Sequence, residues 1–281
     1  RARTTRGYRM KLGELGEFRF IDRIAGGCLV AGADHVVVGV GDDAAVLRGD
    51  GELLLVTTDL LVERVHFLRG VIDPLDLGYK ALAVNLSDIA AMGGSPRDAW
   101  ISIAVPPAVE VEELDRIYDG MKGLARSSGV NLLGGDTTGC RRDLCLNLTV
   151  LGTVPPEQLL LRSGARPGQR ILVTGTLGDS AAGLEVILRR PELPDVVAER
   201  LLAAHHRPAT YLEEARLVAA SGTAGAAIDL SDGLASDLGH VCTASGVVAV
   251  VDEAALPLSE DLRRLARAIG ADPLRLALSG G

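Results

Sequence analysis

The stretch Gly39-Val40-Gly41-Asp42-Asp43-Ala44-Ala45-Val46-Leu47 (GVGDDAAVL, residues 39–47) sets two carboxylates side by side behind a β-branched run, with no Lys or Arg adjacent. The run from His35 to Val40 predicts a strand, and a strand ending in adjacent like charges calls for a cation between them. The same placement recurs along the chain. Asp59 follows a strand-like run in VTTDLL, Asp88 sits inside an apolar helix in NLSDIAAMGG, and Asp136 follows two glycines in LLGGDTTG. Asp229 and Asp232 close another apolar run in AIDLSDGLASD. Each carboxylate interrupts or ends a segment where an unpaired charge is expensive.

Their neighbours are Thr57, Thr58, Ser87, Thr137, Ser231, Gly135 and Gly233, a setting rich in oxygen and nearly free of His and Cys. Such donors suit Mg²⁺, whereas zinc would call for nitrogen or sulfur. A single Asp beside Gly is ordinarily a turn residue or a helix cap. Asp229 and Asp232 could be caps before GLASDL, and Ser87 could bond back to helix carbonyls. Asp88 resists that explanation, because an Ile-Ala-Ala-Met helix face is a poor place for an idle carboxylate. Five such sites in one chain point to a shared Mg²⁺ cluster.

The alternation of strand and helix patterns around these sites marks an α/β (α+β) protein. Apolar spacing of Leu15, Phe18, Ile21 and Ile24 predicts a helix over 13–26, and strands are expected at 35–40, 53–62 and 99–106. Asp73-Pro74 opens a helix expected to run to Gly93-Gly94, and 111–129 reads as an amphipathic helix with a glycine stop. NLLGGD and DLCLNLTVLGTV read as two more strands. The Pro- and Gly-bounded connector at 155–170 suggests two domains, 1–155 and 156–281, the second a further α/β unit. In the second unit a strand is expected at 170–175, a helix beyond the glycine turn of TLGDSAAGL, a helix over 208–220, and a buried strand before Asp229.

Composition narrows the chemistry. The net charge of −8 argues against a nucleic-acid surface, so an anionic substrate would need metal ions or a local set of donors. The four cysteines (28, 140, 145 and 242) lack C-x-x-C or zinc spacing and read as reduced core or loop residues of a cytoplasmic protein. No run approaches the length needed to span a bilayer. The basic opening RARTTRGYRM lacks the apolar segment of a secretory signal and reads as a loose tail before Met10.

Phosphoryl transfer is the chemistry that several magnesium ions would serve. No G-x-x-x-x-G-K-[ST] loop and no H-R-D or D-F-G kinase signature occurs. Arg162, in LRSGARPG, is a candidate phosphate partner, or else an ordinary solvated charge.

These blocks, in order, carry a family resemblance: GELGEFRFIDRI, GVGDDAAV, TTDLLVERVHF, GYKALAVNLSDIAAMGGSP, LLGGDTT, LRSGARPGQRILVTGTLGDSAAGL, HHRP and AIDLSDGLASDL. The chain resembles the thiamine-monophosphate kinase family from about residue 12 onward, within the wider aminoimidazole ribonucleotide synthetase-like superfamily. The resemblance implies ATP-dependent phosphorylation of thiamine monophosphate to thiamine diphosphate. It implies magnesium ligands at Asp43, Thr57, Thr58, Asp59, Asp88, Asp136, Asp229 and Asp232, with Asp43 and Asp88 acting in catalysis through the metal. Gly135, Asp136, Arg162, Ser231 and Tyr118 would lie against ATP, and His66 against the substrate. It also implies a homodimer formed through the N-terminal sheet. The family's pattern continues past LALSGG (276–281) with an acidic and aromatic segment, where contacts to the thiamine ring are expected. Arg64 stands where the family often has Gly. Another ATP-using synthetase of the superfamily, or a nucleotide and magnesium binder without turnover, is the alternative.

Overall fold

The computed structural model describes residue 14 and residues 17–25, 28–29 and 33–280. Six strands form one sheet: β1 (Val36–Val38), β2 (Ala45–Arg48), β3 (Leu53–Val62), β4 (Ser95–Val105), β5 (Asn131–Gly139) and β6 (Cys145–Val154). Their order is β1-β2-β3-β6-β4-β5. All neighbours are antiparallel except β4 and β5, which a helical crossover makes parallel. Helix α1 (Glu17–Ala25) precedes the sheet, and α2 (Pro74–Ala91) and α3 (Val111–Ser128) cover one of its faces. Leu15 and Met10 lie outside the described residues.

Helix α2 starts where the sequence predicts: the Asp73 carboxylate accepts the Leu75 N–H at 2.8 Å, with Pro74 in the first turn. Helix α3 ends at Gly129, in the left-handed conformation (φ 71°). The two helices approach so closely that a Cβ on Gly78 would sit 1.8 Å from the Ile117 carbonyl oxygen. Beneath them Leu82, Leu86 and Ile89 of α2 meet Leu55, Ile101, Leu146, Leu148 and Val150 of the sheet, all buried. The alternation along β3 decides which side chains face this layer: Leu55, Thr57 and Leu61 are buried, Thr58 and Leu60 exposed.

The second half of the chain is helical among the described residues: α4 (Asp179–Arg189), α5 (Asp195–His206), α6 (Leu212–Ala220), α7 (Leu234–Ser245), α8 (Glu260–Ile269) and α9 (Pro273–Ser279). Ala182, Val197, Leu201, Leu262 and Leu265 form its main buried cluster. The strands expected at 170–175 and before Asp229 are not formed, since no ladder joins either run to a neighbour. β-type sequence needs a partner strand to become a strand, and Leu172 is 85% exposed rather than packed. At the junction of the two halves, Arg207 at the end of α5 pairs with Asp76 of α2 at 3.0 Å. Its guanidinium also stacks over the Tyr79 ring, 4.6 Å from the centroid.

Candidate active site

Three carboxylates from three separate segments converge. Asp43 comes from the turn before β2, Asp88 from the last turn of α2, and Asp229 from the run preceding α7. One oxygen of each lies within 4.8 Å of the others. Asp88 is held by Thr57, whose hydroxyl donates to its Oδ2 at 2.5 Å from the neighbouring strand β3. Helix α2 brings its unfavourable, electron-rich end to this carboxylate. Asp59 lies on the same side of β3 as Thr57, near enough to repel both Asp88 and Asp229.

Burial and mutual repulsion push the whole cluster toward its protonated forms. Burial, then the charges of Asp229 and Asp59, raises Asp88 to about 9, against the hydrogen bond from Thr57. Burial raises Asp43 to about 7, with Arg162 opposing and Asp229 and Asp42 adding. Asp229 rises to about 6, again chiefly by burial, although contact with the Ser87 hydroxyl favours its charged form. Ser87 thus lies against Asp229. Asp59 is also raised by burial, with the nearby His66 opposing.

The cation that contacts the Asp42–Asp43 pair is Arg162, brought from far along the chain. Its guanidinium bonds the Asp43 carboxylate directly, and its Nε lies 3.8 Å from Asp42. Its backbone N–H donates to Asp42 Oδ2 at 3.1 Å, while Asp42 Oδ1 accepts the Asp43 N–H at 3.0 Å. The Ser245 hydroxyl, from the end of α7, donates to the Arg162 carbonyl at 2.7 Å and so fastens the arginine's backbone. Asp42 is thus a clamp on the Arg162 segment, a role its sequence context did not separate from that of Asp43.

One arginine does not satisfy the site. Asp43 Oδ2 is buried with no hydrogen-bond partner, and Asp88, Asp229 and Asp59 exceed the available positive charge. An all-oxygen donor set with a buried, unpartnered carboxylate oxygen fits a hard divalent cation such as Mg²⁺. The His and Cys donors that zinc favours are not in the cluster.

The other predicted residues divide into four places. The Thr58 side chain points to the opposite face of the sheet, where its hydroxyl donates to the Leu148 carbonyl at 3.0 Å. Tyr118, Gly135 and Asp136 line one groove of about 700 Å³ between α3 and β5, together with Lys122 and Asn131. Gly135 lies so close to β4 that a Cβ would fall 1.6 Å from the Ile101 carbonyl oxygen. The exposed Asp136 accepts the Thr137 N–H at 2.9 Å. Ser231 and Asp232 form the turn before α7, where both backbone N–H groups donate to Asp237 Oδ2, at 3.0 and 3.1 Å. Asp237, buried and itself inside GLASDL, is the organiser of this turn; its place one helical turn beyond Gly233 was the available signal. His66 is exposed, and its Nδ1 accepts the Val62 N–H at 2.9 Å, which leaves Nε2 as the ring N–H when the imidazole is neutral. Arg64, two residues earlier, has φ 66°, the left-handed region that glycine occupies without strain.

A mixed sheet carrying carboxylates and a helical second half fastened to it through an arginine define a two-part AIR synthase-related protein. The family model described as AIR synthase related protein, N-terminal domain, matches residues 41–154, and that of the C-terminal domain matches 166–280. The chain is 44% identical over 273 residues to the thiamine-monophosphate kinase of Escherichia coli O157:H7, covering 95% of this chain and 80% of that relative. It is 41% identical over 233 residues to that of Bacillus subtilis (strain 168), covering 82% and 71%. A solved structure, AaThiL complexed with AMPPCP and TMP, superposes with a TM-score of 0.89 at 35% identity, covering 98% of this chain and 85% of that one. The chain belongs to the thiamine-monophosphate kinase family. No helix among the described residues is long and apolar enough to cross a membrane.

Proposed function

We propose that this protein transfers the γ-phosphoryl group of ATP to the phosphate of thiamine monophosphate, giving thiamine diphosphate and ADP. The observation that carries the proposal is the buried Asp43–Asp88–Asp229 cluster facing Arg162, in a chain whose relatives are named for this reaction. Asp43, Asp88 and Asp229 would hold Mg²⁺, with Thr57 and Asp59 beside them and Asp136 and Asp232 completing the set toward the nucleotide. When bound, magnesium screens the repulsion between two anionic substrates and stabilises charge on the phosphoryl group in flight.

The chain's own residues supply alignment. The acceptor is already an anionic phosphate, so no strong general base is required, and positioning is the main demand. Arg162 would exchange Asp43 for nucleotide phosphate, a substitution its planar fork of donors suits. Tyr118, Gly135 and Asp136 would seat the nucleotide in the α3–β5 groove, where the absence of a side chain at Gly135 lets β5 pair tightly with β4. Ser231 would reach the nucleotide from the turn that Asp237 fixes. His66 would meet the acceptor through its Nε2. The exposed sheet face bearing Leu60 and Trp100 supports a homodimer built on the N-terminal half. Residues 1–155 and 156–281 would act as separate domains in a cytoplasmic enzyme.

The test is chromatographic detection of thiamine diphosphate from ATP, Mg²⁺ and thiamine monophosphate, with Asp88→Asn alongside. Product from the wild type and none from the variant is expected. ATP-dependent thermal stabilisation without product would favour a nucleotide binder. Product lost with the wild type, both for this chain and for one extended beyond residue 281, would overturn the kinase reading.

A further inference from the structure

The segment between β5 and β6 is bounded by two thiols that the proposed reaction does not use, Cys140 just after β5 and Cys145 at the start of β6. Cys140 Sγ donates to the Asp143 carbonyl at 2.9 Å, and Cys145 Sγ to the same oxygen at 3.5 Å. The sulfurs can therefore be no farther apart than those two contacts laid end to end. Both cysteines are only partly exposed, whereas Cys28 is exposed and donates to the Ile24 carbonyl. The segment between the pair is free of strand pairing, and Arg141 and Arg142 within it are exposed.

We propose that Cys140 and Cys145 are a redox pair that closes to an intramolecular disulfide on exposure to a small-molecule disulfide. The Cys140 thiolate attacks one sulfur of the oxidant, whose S–S bond breaks, and one thiolate leaves with the bonding electrons. Cys145 then gives up its proton and attacks the Cys140 sulfur of the mixed disulfide, expelling the second small thiolate. Two electrons pass from the protein to the oxidant, and the two protein thiol protons end on the two released thiols. Burial pushes the Cys145 thiol up, with Cys140, Asp143 and Glu63 adding, which disfavours Cys145 as the first nucleophile.

Closure acts on more than the turn. Asp143 pairs with Arg64. The Leu144 N–H donates to Glu63 Oε2 at 3.0 Å, and the Glu63 N–H donates to the Leu144 carbonyl at 2.9 Å. Bridging takes both S–H donors off the Asp143 carbonyl and pulls on the segment that carries Glu63, Arg64 and His66. The pair itself stands on this geometry, whichever reaction the carboxylate cluster serves.

The sequence makes the test direct, because trypsin cuts after Arg141 and Arg142 and so separates the two cysteines. Full-length protein is treated with glutathione disulfide, its remaining thiols are blocked with N-ethylmaleimide, and the digest is mapped without reductant. The expected result is a disulfide joining peptide 127–141 to peptide 143–162, lost with dithiothreitol, while Cys28 carries a glutathione adduct. In Cys145→Ser, Cys140 should stop at the mixed disulfide. Separate adducts on Cys140 and Cys145 in the wild type, or two blocked free thiols, would overturn the pair. A bridge that leaves hydrogen exchange at 62–67 unchanged would overturn its coupling to the His66 segment.

Discussion

Asp88→Asn should make the protein more stable and inactive at once, and the stability gain should grow with pH. In the folded protein Asp88 holds its proton up to about pH 9, whereas its ordinary value is 3.8. Between those limits the unfolded chain has released a proton that the folded chain keeps, so stability falls as pH rises. Each pH unit costs about 1.4 kcal/mol for one such group, so from about pH 5 to about pH 8 the loss is about 4 kcal/mol. Asparagine carries no charge at any pH and still offers an oxygen to the Thr57 hydroxyl. The gap in unfolding free energy between variant and wild type should therefore widen by about 4 kcal/mol across that range. The assay is urea denaturation followed by circular dichroism at several pH values with EDTA present. Added Mg²⁺ should close the gap by stabilising the wild type alone. Thiamine diphosphate formation by the variant should fall by at least about a hundredfold. A gap that stays flat with pH, or a variant less stable than wild type at pH 8, would refute the reasoning that buried repulsion is stored at Asp88.

Arg162→Met leaves the nearly fully buried Asp43 carboxylate without its cation; a loss of about 3 kcal/mol is expected above pH 7 in EDTA, where that carboxylate is charged, read by the same denaturation. Gly135→Ala should lower the melting temperature and abolish product formation, since its Cβ meets the Ile101 carbonyl at a φ of 152°. Gly139→Ala, on the same strand with open space around it, should shift the melting temperature by no more than a degree or two, about 0.5 kcal/mol. Arg64→Gly should raise stability by about 1 kcal/mol, because the left-handed backbone is relieved and the half-exposed pair with Asp143 contributes little; a drop in melting temperature would show that the ion pair outweighs the backbone strain.

What the sequence determined by itself is the set of elements whose pattern is local. Asp73-Pro74 and Gly129 bound the helices at α2 and α3 because caps act within one turn, and the ten-residue run at Leu53–Val62 is a strand from end to end. The unusual character of Asp43, Asp88 and Asp229 was also legible, since a carboxylate in an apolar run needs a reason wherever the chain goes. The strands expected in the second half were not formed, because a strand depends on a partner that no local pattern supplies. Likewise only tertiary structure decided which carboxylates share a site. The pleat of β3 turns Thr57 toward Asp88 and Thr58 away from it, a difference of one residue that composition cannot see. Nor could adjacency reveal that the cation beside Asp42 and Asp43 is Arg162, because an ion pair is set by distance in space, and packing of the two halves brings that arginine across more than a hundred residues of chain.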